Sequence, residues 1–284
     1  MVAPGLVWLL LFSIIPMVGI VMAFQDYNPG RGYWGSEWVG LENFEYLFSM
    51  SDARQVMINT LIIAVSKMVL NLIIPLAFAL LLNEVRLVRY KKLIQTIVYL
   101  PHFLSWVILA SIVLSIFGYR GVVNTIGGWF GAEGRIWMNS ASFFRPLVIW
   151  SDVWKEFGYN AVIFLAALTG INPNLYEAAA IDGAGRWKSI WHITLPGLIS
   201  TVVLLGVLGL GSVLNAGFDQ IFNLYNPMVY STGDILDTWV YRMGLWDLQF
   251  SLATTAGLLK SVVSFVLIVS SYIMAYKFAD YRVF

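Results

Sequence analysis

Apolar residues run along this chain in six long blocks, at about 3–24, 57–83, 93–118, 146–169, 197–218 and 255–276, separated by polar stretches rich in Gly and Trp. Crossing the hydrocarbon core of a bilayer takes roughly 20 apolar residues in a helix. In lipid a backbone must satisfy its own hydrogen bonds, so each block is expected to be helical. The pattern predicts an all-α integral membrane protein: a six-helix transmembrane bundle in which residues 1–284 form a single domain. Composition agrees, with 59% of the 284 residues hydrophobic and only 12% charged. A soluble domain carries about 25% charged residues.

The first block has no Lys or Arg before Arg31 and is too long for the apolar core of a secretory signal. It reads as a first membrane helix whose cytoplasmic tail is trimmed or unusually short. An even number of spans places both termini on one side. With the termini inside, the inner segments 84–92, 170–196 and 277–284 hold Arg86, Arg89, Lys91, Lys92, Arg186, Lys188, Lys277 and Arg282. The much longer outer loops hold Arg31, Arg54, Arg120, Arg135, Arg145 and Arg242. The higher inner density of Lys and Arg makes both termini cytoplasmic. The outer loops carry GYWGSEW, GWFGAEGRIW and TWVYRMGLW. These aromatics fit an interfacial belt, or a docking surface for an external partner.

Between the fourth and fifth blocks, at about 172–196, lies a polar insert that contains YEAAAIDGAGRWKSIWHITLP. Asn172-Pro173-Asn174 is a helix-start signal, with Glu177 three residues after Asn174 as in a capping box. Ala178, Ala179 and Ala180 continue a short helix, Gly183-Ala184-Gly185 break it, and a second short helix over 186–192 leads to Leu195-Pro196. So short a helix is unstable alone. It must pack on its own bundle or in a cleft of a cytoplasmic partner.

Glu177-Ala178-Ala179, Gly183 six positions after the Glu, and Ile193-Thr194-Leu195-Pro196 resemble the EAA loop of importer-type ABC permeases, with Asp182 and Ala184 extending it to the form found in sugar permeases. The resemblance implies a type I ABC importer permease fold with a cytoplasmic coupling helix. Glu177, Ala178, Ala179, Asp182, Gly183 and Ala184 would then be the residues that couple to the ATPase. Gly40-Leu41-Glu42-Asn43-Phe44 and Trp154-Lys155 with Gly158 are similar to stretches of maltose- and glycerol-phosphate-type permeases. Phe218-Asp219-Gln220, Leu224-Tyr225-Asn226-Pro227 and Asp237 to Tyr241 resemble more narrowly the LplB-type subgroup, which handles complex or acidic oligosaccharides. The first permease subunit of alginate-oligosaccharide importers is a specific candidate there. Ser200 departs from relatives that place a second Pro near this position.

Ionisable residues at membrane depth are functional candidates by default. Asp152 and Lys155 are spaced to neutralise one another on one helix face, with Glu156 beside them. Such a pair is either structural or a rim that meets sugar. Lys67 and Lys260 have no partner in the local sequence and can snorkel or pair across helices. A sugar site combines aromatic faces with a few hydrogen-bonding groups. Trp150, Trp154, Lys155, Tyr159, Asn160 and Asn215 are the substrate-pathway candidates, although aromatics at helical spacing also serve plain packing. Pro75 and Pro101 lie inside the second and third blocks and can kink them.

Other chemistry is poorly supported. His102 and His192 are far apart and there is no cysteine, so no metal site is expected. No phosphate-binding GxxxxGK[ST] loop and no nucleophile with a base is present. The chain is therefore expected to be no enzyme and to hold no cofactor itself, with ATP and Mg bound by partner ATPase subunits. A net charge of +1 gives no sign of nucleic-acid binding. The resemblance implies a permease in the bacterial cytoplasmic (inner) membrane that moves an oligosaccharide by alternating access. Its expected partners are a second, non-identical permease, two ABC ATPase subunits, an extracytoplasmic solute-binding protein and membrane lipid. The alternative is an ion-coupled secondary sugar transporter, which would carry its own coupling-ion residues and often inverted repeats.

Overall fold

The structure, a computed structural model, describes residues 2–279, with side chains as far as residue 274; Lys277 and Arg282 of the inner-face count lie outside these described side chains. Helix α1 (Ala3–Phe24) comes first and passes through a π-turn at Leu10–Ile14 into 3-10 geometry from Ile15, beside Pro16, which has no N–H to give the preceding turn. Gln25–Asp26 and Glu37–Trp38 then pair as a short antiparallel hairpin. Helix α2 (Glu42–Ser49) follows. Asn43 explains part of the GLENF stretch: its side-chain amide donates to the carbonyls of Ala23 and Gln25, both at 3.0 Å, and ties α2 to the end of α1.

The scaffold is two long helices, α3 (Ser51–Asn83) and α7 (Ala141–Thr169), which pack along much of their length. Between them in sequence come α4 (Val88–Tyr99), α5 (Trp106–Phe117) and α6 (Val122–Trp129). The third block was expected to be one span over 93–118. It is broken instead, because Pro101 cannot continue the hydrogen-bond ladder and the Ser105 hydroxyl caps a new helix by accepting from the Ile108 N–H. The chain continues through α8 (Pro173–Ile181), α9 (Arg186–Gly211), α10 (Phe218–Leu224), α11 (Leu236–Tyr241) and α12 (Phe250–Ala279).

Five helical units among the described residues are long and apolar enough to cross a membrane: Ala3–Phe24, Ser51–Asn83, Trp106–Trp129, Arg186–Gly211 and Phe250–Met274. The expected fourth span lies within α7, which has the length but carries Arg145, Asp152, Lys155 and Glu156. Buried or partnered charges of this kind mark a helix that faces protein or a cavity rather than lipid.

Three buried apolar clusters hold the bundle. Ile63, Phe144, Val148, Leu214 and Ile221 join α3 and α7 to the segment around α10. Leu47, Val56, Leu236, Trp239 and Ala256 join α2, α3, α11 and α12. Ala79, Ala161, Phe164 and Leu198 join α3, α7 and α9 towards the 172–196 loop. At Gly158 two helices approach closely: a Cβ there would stand 2.4 Å from the Val98 carbonyl oxygen, so only Gly lets α4 lie against α7.

Candidate functional site

The EAA insert forms a helix, a break and a second helix, with two differences from expectation. The cap of α8 is Asn172, whose side chain accepts the Asn174 N–H at 3.0 Å, so the expected capping box between Asn174 and Glu177 does not form. The second helix is not a separate short element. It runs on through a π-turn at Ile190–Thr194 into the fifth span, giving one continuous α9. The wider turn just before Pro196 absorbs the hydrogen bond that proline cannot make.

The end of α8 explains the spacing of the motif. Gly183 adopts φ +74°, the Gly183 N–H donates to the Ala180 carbonyl at 3.1 Å, and the Ala184 N–H donates to the Ala179 carbonyl at 2.8 Å. This pair of bonds is a Schellman stop, which puts a left-handed residue after the last helical turn. Gly, six positions after Glu177, is the residue with no steric cost there. No residue of α8 is buried; Glu177, Ala178 and Asp182 are exposed and Ile181 is 87% exposed. Two contacts tether the loop. The Tyr176 hydroxyl meets that of Thr194 at 2.9 Å, and Arg186 lies 3.8 Å from Glu84. Tyr176 went unnoticed in the sequence, where it looks like any aromatic residue at the edge of a motif.

The second feature is a cavity of about 420 Å3 between α3, α7 and α9, walled by Leu72, Phe164 and Leu205 and by the polar groups of Lys67, Asn71, Asp152, Asn160, Ser212 and Asn215. Lys67 Nζ lies 3.2 Å from Asp152 Oδ1 and donates to the Ala216 carbonyl at 2.7 Å and to Gln220 Oε1. Asn71 donates to the other Asp152 oxygen at 3.0 Å, while its own amide oxygen is buried without a partner. Asp152 therefore pairs across helices with Lys67. The expected Asp152–Lys155 pair does not form. Lys155 is buried and bonds Glu156 at 2.7 Å and the His102 carbonyl at 2.8 Å; Glu156 in turn meets His102 Nδ1 at 2.6 Å.

Of the substrate-pathway candidates, the structure brings only Asn160 and Asn215 to this cavity. Trp150 and Trp154 are about half exposed and do not line it, Lys155 is held as above, and Tyr159 stacks on the His102 ring at 3.9 Å. Asn71 was missed, and Gln220 stood out only as part of a resemblance, with no role at the cavity. Asn71 follows Lys67 by one helical turn, and that polar i,i+4 pair on an apolar helix was the available signal. Lys260 pairs across helices too, with Asp237 at 2.6 Å and Asn215 at 3.1 Å.

Between α10 and α12, Arg242 binds Asp234 at 2.5 Å and lies 4.2 Å above the Tyr230 ring. Tyr225 packs on Tyr230, with its hydroxyl buried and unpartnered. Burial, aided by Tyr230, pushes its phenol up to about 12.

Comparison with known proteins adds three findings. The family model for the binding-protein-dependent transport system inner membrane component matches residues 73–280. Two Bacillus subtilis (strain 168) proteins are similar over nearly the whole chain. Protein LplB is 43% identical, over 97% of this chain and 87% of its own length. The polygalacturonan/rhamnogalacturonan transport system permease protein YteP is 42% identical, over 99% and 88%. Among solved structures, a chain of a bacterial alginate ABC transporter in complex with alginate pentasaccharide-bound periplasmic protein superposes with a TM-score of 0.88 at 37% identity, covering 98% of this chain and 93% of that one.

Proposed function

The chain belongs to the family of binding-protein-dependent transport system inner membrane components, and from that premise we propose how its parts divide the work of import. It is a permease subunit of a sugar ABC importer, an inner-membrane component and not itself an enzyme. Membership sets the ion-coupled alternative aside.

The cargo is an oligosaccharide that contains uronic acids. The polygalacturonan/rhamnogalacturonan relative and the alginate transporter support this reading. Asn160, Asn215, Asn71 and Ser212 give the cavity hydrogen-bonding groups suited to sugar hydroxyls. Both membrane cations near it already have carboxylate partners, Lys67 with Asp152 and Lys260 with Asp237, so an acidic cargo would meet neutralised pairs rather than bare positive charge.

Residues Glu177, Ala178, Ala179, Asp182, Gly183 and Ala184 form the coupling element, with both termini on the same, cytoplasmic side. One observation carries the coupling role: a capped, glycine-terminated helix with no buried residue is tied to the bundle through Tyr176 while Glu177, Ala178, Ile181 and Asp182 stay exposed, where small side chains let a partner approach. The partner is an ATPase subunit that binds ATP and Mg. One such helix per chain calls for a second permease and two ATPases, with an external binding protein delivering cargo at the outer loops. ATP-driven closure then shifts the bundle between two conformations.

The test is uptake and ATPase activity in proteoliposomes that hold the complete transporter. Glu177→Ala combined with Gly183→Val is expected to abolish uptake and the ATPase response to loaded binding protein, while the binding protein captures sugar as before. Uptake that persisted with both substitutions in place would sink the assignment.

A further inference from the structure

Beside the coupling loop, the end of α3 and the start of α9 enclose a groove of about 440 Å3. Leu80, Leu81, Trp187 and Ile190 form its walls, and Glu84 and Arg186 stand at its rim. Both helices are candidate membrane spans that reach their ends here, Ser51–Asn83 and Arg186–Gly211. The groove therefore sits where hydrocarbon gives way to headgroups. Trp187 and Trp191, one turn apart, are strongly exposed on the same helix, as aromatics of an interfacial belt are. From Leu81 in the groove wall, Ile73 and Val69 continue an exposed apolar stripe along α3.

The rim is only loosely paired. Arg186 and Glu84 are 3.8 Å apart, too far for a hydrogen bond, and the guanidinium makes no side-chain hydrogen bond among the described residues. Its five N–H groups suit a phosphate. Exposed Arg86, Arg89, Lys92 and Lys188 lie close by in sequence and add positive charge to this end of the bundle.

We propose that this groove is a binding site for an anionic phospholipid, with an acyl chain against Leu80, Leu81, Trp187 and Ile190 and the phosphate on Arg186. The walls belong to membrane spans and open beside an apolar stripe, which favours lipid over a soluble protein. The surplus of cations favours an anionic headgroup over a zwitterionic one, since each basic residue near the surface adds attraction. Lipid in this position would lie against the foot of α9, next to the coupling loop.

The experiment is native mass spectrometry of the complete detergent-purified transporter after incubation with an equimolar mixture of phosphatidylglycerol and phosphatidylcholine. The wild-type complex is expected to retain phosphatidylglycerol preferentially. Arg186→Gln should weaken that retention roughly tenfold, as for loss of one charge-assisted contact, and Arg186→Lys should keep most of it. Leu81→Trp, which fills the groove without changing charge, should also lose it. Equal retention of the two lipids by the wild type would overturn the proposal. So would unchanged phosphatidylglycerol binding in Arg186→Gln or in Leu81→Trp. If Arg186→Gln instead lost the ATPase subunit while its lipid stayed bound, the groove would belong to that protein partner and the lipid assignment would fall. Should Arg186→Gln fail to assemble, the wild-type preference and Leu81→Trp decide the matter.

Discussion

Lys67 Nζ and Asp152 Oδ1 lie 3.2 Å apart across the contact between α3 and α7, and the two side chains are 8% and 17% exposed. The pair stands at the wall of the cavity and also anchors the Ala216 carbonyl and Gln220 beyond the end of α9. Removing one partner of a buried pair leaves the other charge uncompensated, at a cost of about 3–5 kcal/mol. Lys67→Met should therefore destabilise the purified complex by about that amount. The double variant Lys67→Met/Asp152→Asn should recover part of the loss. Thermal unfolding of the two variants checks this, and a double variant less stable than the single one would contradict it.

Gly158 is where α4 and α7 touch. An added Cβ would meet the Val98 carbonyl oxygen at 2.4 Å and its side chain at 2.5 Å, and backbone cannot step aside as a flexible side chain can. Gly158→Ala is expected to cost about 1–3 kcal/mol, as overpacking does. A melting temperature equal to the wild type's would mean that the two helices are not held this closely.

At Gly183 the strain is in the backbone alone, because an added Cβ would meet nothing within 4 Å. A left-handed conformation costs an ordinary residue roughly 1–2 kcal/mol, and Asn bears it better than most. Gly183→Asn should keep most of the uptake that Gly183→Val loses. Initial uptake rates in proteoliposomes separate the two. Equal loss in both would point to side-chain contact with the ATPase rather than to the Schellman stop.

Tyr225 supplies a pH test. Its phenol is pushed up to about 12 in the folded protein by burial, against about 10 in the unfolded chain. Across that window the folded state keeps a proton that the unfolded state has lost. Stability is thus unaffected below the unfolded value and declines as pH rises through the window towards the folded one. Tyr225→Phe should remove this alkaline loss, and near neutral pH it should cost little, since the hydroxyl has no partner to lose. Denaturation of both proteins across alkaline pH, with tyrosinate absorbance followed in parallel, decides it.

Much of this architecture is legible in the chain, for physical reasons that can be named. The spans follow from hydrophobic length, and α8 follows from Pro173, the alanines and Gly183. The fourth span was read from length despite its charges; the structure explains them by giving Asp152 and Lys155 partners on other helices. Those partners were not legible, because Lys67, Asp152 and Gln220 are brought together only by tertiary packing, whereas i,i+3 spacing offered Asp152–Lys155. Local chemistry also misplaced the cap. Asn172 and Asn174 both flank Pro173, and only the backbone geometry decides between them. Trp150 and Trp154 share a helix face as spaced, but nothing in the sequence says whether that face looks into the cavity, and it does not.

The continuity of α9 has a mechanical consequence. Its 26 residues from Arg186 to Gly211 form a rod of about 39 Å, whose foot adjoins the break at Gly183 and whose head meets the cavity at Ser212. If the loop at its foot is the coupling element, such a rod would serve as a lever arm. A small tilt imposed at Arg186 would arrive at the far end as a displacement magnified by its length, and the π-turn at Ile190–Thr194 lies near the foot, where a fulcrum would give the greatest travel. Two separate helices joined by a hinge would dissipate such a movement within the loop.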